Sequence, residues 1–105
     1  MSFIQLEDVR LCWADLTRAD LRSANLDNAN LTGAMMWRAG LQGASFRWAN
    51  LHQAVMVHCA ADNASFKGAN LHRADLRLGN LCGASFAGAD MRGAKLCYSD
   101  LREAD

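Results

Sequence analysis

Proline is absent from the 105 residues. Every backbone N–H is therefore available as a donor, which suits an uninterrupted ladder of main-chain bonds. Net charge is absent as well. Eleven Lys and Arg balance eleven Asp and Glu, so bulk charge selects neither nucleic acid, acidic lipid nor a basic substrate. No apolar run approaches the ~18 residues of a membrane span. The opening MSFIQLEDVR carries Glu7 and Asp8 and no basic stretch leading into an apolar core. A secretory signal is not read there, and cytoplasm is the expected compartment. Cys12, Cys59, Cys82 and Cys97 form no CxxC and no metal spacing, so reduced, unbridged thiols are expected. Phosphate-binding Gly-rich loops, GxSxG and HExxH are all missing. The sequence therefore nominates no catalytic residue, no metal ligand and no cofactor.

What fills the chain instead is one five-residue phrase. Residues 14–34 read ADLTR ADLRS ANLDN ANLTG A. If the large apolar residue is taken as the centre, centres recur every five residues from Leu6 to Leu101. A small residue, mostly Ala, stands two before the centre. Asp, Asn or Ser commonly stands one before it, and two mainly polar or Gly residues follow. The length suits a single domain over residues 1–105.

A period of five matches neither the 3.6 of a helix nor the 2.0 of a flat strand. Two inward residues separated by one outward residue fit a short extended segment, and the next two residues must turn a corner. Four corners close a square coil of about 20 residues, with stacked coils ~4.8 Å apart. These residues resemble the pentapeptide repeat family, whose phrase is A(D/N)LXX, over essentially the whole chain. The resemblance implies an all-β fold, a right-handed quadrilateral parallel β-helix, here of about five coils.

The four-sided arrangement makes a prediction inside the sequence: residues 20 apart share a face. Phe46, Phe66 and Phe86 then stack as an aromatic ladder in the column of Leu6 and Leu26 (face 1). Face 2 holds Leu11, Leu31, Leu51, Leu71 and Met91, with Asn30, Asn50 and Asn70 expected to form an amide ladder beside it. Face 3 holds Leu16, Met36, Met56, Leu76 and Leu96. Face 4 holds Leu21, Leu41, Ala61, Leu81 and Leu101. Cys59 next to Ala61 reads as compensation of volume in the core, with extra room from Gly79. Ile4 and Val9 replace the usual Ala, so residues 1–10 are expected to cap one end modestly. The phrase stops at Ala104-Asp105 with no separate cap. That end is expected to pair with another copy, to be covered by Tyr98 and the last residues, or to continue in a longer chain.

Departures from the phrase mark candidate sites. His52 and His72 should stack on one outer face between Thr32 and Arg92, an exposed pair more than a metal site. His58 falls near a different face. Gly33 and Gly68 should lie at corners beneath Trp13 and Trp48. Exposed apolar residues gather on face 3: Met35, Trp37, Val55 and Val57, with Leu78 and Tyr98 along its corner. Such a block is the expected interaction surface.

The reading that follows is a non-catalytic interaction protein presenting a face to a protein partner or to a second copy as a homodimer. Direct nucleic-acid binding is not expected. The resemblance adds an alternative. Some members imitate B-DNA and act on type II topoisomerases such as DNA gyrase, including those that confer quinolone resistance. That mechanism needs a strongly negative rod, whereas Arg18, Arg38, Arg47, Arg73, Arg77 and Arg92 are spread over this neutral one. The family's abundance in cyanobacteria also implies a cyanobacterial source.

Overall fold

The computed structural model describes residues 4–102 and 104. Glu103, Asp105 and the first three residues, which belong to the expected N-terminal cap, lie outside them. Parallel bridges join residues 20 apart throughout. One series runs Gln5, Asn25, Ser45, Ser65, Ser85, and equivalent series begin at Arg10, Asp15 and Asp20. Each of four faces thus carries five rungs, and the chain climbs one level per 20 residues. The molecule measures 28 × 27 × 24 Å, so this solenoid is about as tall as it is wide.

The phrase can be explained by asking where its five N–H groups go. The centre's N–H donates to the coil above, as from Leu26 to the Ser45 carbonyl at 2.7 Å. The N–H one residue earlier donates to the coil below, as from Asn25 to Ile4 at 2.8 Å. The corner residue, two after the centre, again donates upward, as from Asn28 to Arg47 at 2.9 Å. Each centre's carbonyl accepts from the N–H three residues on at 2.9–3.3 Å, from Leu6 to Leu101. That leaves the N–H directly after the centre. An Asp or Asn one before the centre takes it: Thr17 donates to Asp15 Oδ1 at 3.0 Å, and Asn70 and Asp90 serve His72 and Arg92 in the same way. The preference for Asp or Asn is thus an accounting of donors, an Asx turn repeated at the corners.

Ser45 shows the rule by breaking it. Its side chain is too short to reach Arg47, and Asp27 of the coil below substitutes. One Asp27 oxygen accepts the Ser45 hydroxyl and the Arg47 N–H, the latter at 3.0 Å. The same requirement alters the expected amide ladder. The oxygens of Asn30, Asn50 and Asn70 are occupied by backbone N–H groups. The side-chain contact between Asn70 and Asn50 is a long 3.5 Å.

All corner residues from Asp8 to Tyr98 have φ between +55° and +72°, as the third residue of a type II turn requires. Six are Gly and thirteen are not. At Gly33 and Gly68 the missing side chain also makes room. A Cβ on Gly68 would lie 2.6 Å from Cδ1 of Trp48, and one on Gly33 would lie inside the Trp13 indole.

Among the described residues, no polar or charged residue is buried in the interior. Phe46, Phe66 and Phe86 stack at centroid spacings of 5.1 Å and are parallel to within 4°, as the 20-residue spacing predicted. Ile4 and Val9 pack against the first coils. Tyr98 is 89% exposed and does not fold over the last coil.

Candidate functional site

Face 3 is where the phrase gives way. Its outward position after the centre holds Trp37, Val57, Arg77 and Cys97 on successive coils, and the next residue along each coil lies on the corner. A large, a small and then a large side chain leave a notch at the small one. Val57 forms its floor and is only 4% exposed, while Trp37, the wall below, is 42% exposed. His58, Leu78 and Tyr98 close the corner side, and Arg77 and Cys97 close the upper side. The result is an open groove of about 460 Å³.

Arg77 is fixed in this wall by its neighbour. Its Nε donates to Asp75 Oδ1 at 2.8 Å and its Nη2 to Oδ2 at 2.7 Å. This bidentate bond is the main cause holding the Asp75 carboxyl below its ordinary range. The guanidinium therefore lies along the face and does not fill the notch.

Four of the six residues expected at this surface line the groove together: Trp37, Val57, Leu78 and Tyr98. Met35 and Val55 do not line it. They bridge each other on the same face, at the outward position before the centres. Val57 was expected to be exposed, but its neighbours cover it. Sequence reasoning missed His58, Arg77 and Cys97. His58 stands 20 residues from Leu78, Arg77 stands 20 from Val57 and Cys97 stands 40 from Val57, so the register that selected the cluster points to them too.

His52 and His72 stack with centroids 5.0 Å apart and rings 14° from parallel. Their Nδ1 atoms are 3.2 Å apart. Near-parallel rings direct their lone pairs side by side instead of converging on one ion. Among the described residues, no three His, Cys, Asp or Glu side chains group as metal ligands. Cys59 is buried within the core and donates its thiol to the Met36 carbonyl. Burial pushes the thiol up to about 12, which leaves it protonated and a poor nucleophile.

A four-sided β-solenoid with a filled apolar core and a grooved flank belongs to the class of solenoid repeat proteins. The pentapeptide repeat model matches residues 4–43, 44–78 and 80–105 in eight copies. The chain belongs to this family of right-handed quadrilateral β-helices. It is similar to HetL, a pentapeptide repeat protein involved in heterocyst differentiation regulation in the cyanobacterium Nostoc. Identity is 26% over 99% of this chain and 60% of HetL, with a TM-score of 0.52. QnrB1, a plasmid-mediated fluoroquinolone resistance protein, shares the fold at 24% identity over 97% of this chain and 65% of its own, with a TM-score of 0.51. A pentapeptide repeat protein from the thylakoid lumen of Arabidopsis thaliana matches at 27% identity over 96% and 64% of the two chains, with a TM-score of 0.49. The chain thus spans less than two thirds of these relatives. No curated protein matches it. Among the described residues, no helix is long and apolar enough to cross a membrane.

Proposed function

We propose that this chain is a non-catalytic interaction protein of the cytoplasm that presents the Trp37–Val57 groove on face 3 to a protein partner. The observation that carries the reading is the groove itself. It is an apolar notch with an almost fully buried floor, and its walls are large side chains that the solenoid does not need for its core. Such notches accept one anchoring side chain. HetL's involvement in regulation suits a protein that acts by contact.

The test compares wild type with Trp37→Arg. Trp37 points outward, so its replacement leaves the core intact. Both proteins are immobilised and used for capture from an extract of the source cell. Their sedimentation is followed over a range of concentrations. A protein or a second copy held by wild type and lost from Trp37→Arg is the expected result. Identical behaviour of the two would reduce the groove to surface relief.

A further inference from the structure

The groove lies on one side of an electrically two-sided molecule. Face 3 with its trailing corner carries Arg18, Arg38, Arg77 and Lys95 against Asp15 and Asp75, a net +2. Face 2 with its corner carries Arg10, Arg73 and Arg92 against Asp90, again +2. The remaining described residues are acidic in balance. Face 4 sets Asp20, Asp62 and Asp100 against Arg22 and Arg102, and face 1 sets Glu7, Asp8 and Asp27 against Arg47 and Lys67. A neutral total therefore conceals a positive half and a negative half. Arg18, Arg38 and His58 stack along the corner that borders the groove. Among the described residues neither Arg18 nor Arg38 takes part in an ion pair.

The geometry points to one occupant: an acidic peptide segment, belonging to another protein, that places a bulky apolar side chain in the notch over Val57 and its carboxylates against Arg38 and Arg18. This rests on the reading of the groove as an interaction site and adds the chemistry of the partner. A second copy is the weaker candidate. Face 3 against face 3 opposes like charges. On the acidic half, the only large exposed apolar residue of face 4 among the described residues is Leu101, a core centre. Trp48, at the edge of face 1, stands next to Arg47 and one coil below Lys67, so it would bring cations onto cations.

The experiment is selection of phage-displayed random peptides on wild-type protein, after depletion on Trp37→Ala, followed by fluorescence anisotropy of the labelled winners. Expected winners carry one Trp, Phe or Leu among several Asp or Glu. Their affinity falls about fivefold or more with Arg38→Glu and falls with added salt. Arg47→Glu on face 1 leaves affinity unchanged. Circular dichroism confirms that each variant keeps the β-solenoid spectrum. Neutral or basic winners that still need Trp37 would overturn the acidic partner and leave the groove as an interaction site. An absence of Trp37-dependent winners would overturn both. Displacement of the winners by an oligothymidine would assign the site to single-stranded nucleic acid, and a Trp37-dependent dimer in sedimentation that the winners dissociate would assign it to a second copy. Either result overturns the proposal.

Discussion

At the scale of single residues, the Asp of the phrase does two things that can be separated. Asp20 and Asp90 each cap the N–H two residues on and each hold an Arg through two side-chain bonds. The Arg22 and Arg92 guanidinium groups are the main reason both carboxyls are held down at about 2. A depressed folded pKa means that the stabilisation is complete above the unfolded value of about 4 and is lost as pH falls through about 2. Asp20→Asn with Asp90→Asn keeps an oxygen for the cap and removes the charge. The double variant should therefore lose less stability than wild type between pH 5 and pH 2, measured by urea midpoints. An equal acid loss would place the proton uptake elsewhere. The corner glycines separate a second pair of effects. Gly33 and Gly88 have nearly the same φ, +67° and +68°. At Gly88 an added methyl meets nothing closer than 3.9 Å, so Gly88→Ala should cost about 1 kcal/mol for the left-handed backbone alone. Gly33→Ala must also displace the Trp13 indole and should cost clearly more in thermal unfolding. Equal costs would mean that the indole gains nothing from its seat.

At the scale of the element, a face is a column of side chains contributed by five coils, and its stability lies in the stacking. Phe66 is fully buried between two parallel rings, whereas Phe86 at the next level is only partly buried. Phe66→Ala should cost about 3–5 kcal/mol and Phe86→Ala markedly less. Denaturant titration of the two variants checks the order, and a reversed order would show that the ladder is held from its upper end. The columns were legible in the sequence because the 20-residue period is strict, and the placing of the three Phe alone was enough to count four sides. Val57 was less legible. A Val at an outward position reads as exposed, yet Val57 is 4% exposed, with Trp37 and Arg77 on either side of it and the corner residues Leu78 and Tyr98 lining the same groove. The period shows who stacks on whom. It does not show how far a side chain leans, which depends on rotamers and on bonds such as that from Arg77 to Asp75. The exchange at Ser45 is illegible for the same reason, since Asp27 reaches it from a repeat 20 residues away.

At the scale of the whole molecule, charge decides between two uses of one scaffold. Imitation of DNA requires negative potential on the sides that a DNA-binding cleft would grip. Here the negative groups are partly spent internally: Asp20, Asp75, Asp90 and Asp100 each hold the Arg two residues on. What remains divides into a basic half with the groove and an acidic half without it. A cleft lined with cations would be repelled by faces 2 and 3, which adjoin and are each net positive. Similarity to QnrB1 establishes a shared fold, and a fold hosts many functions. DNA gyrase should therefore supercoil relaxed plasmid at the same rate with and without this protein at micromolar concentration, and quinolone-stabilised cleavage should be unchanged. Charge reversal sharpens the test. If Arg18→Glu with Arg38→Glu, which makes face 3 net negative, creates inhibition that wild type lacks, then charge is what separates this chain from a mimic. If wild type itself inhibits, the potential of the prism is not the quantity the enzyme reads, and the groove loses its claim to be the working face.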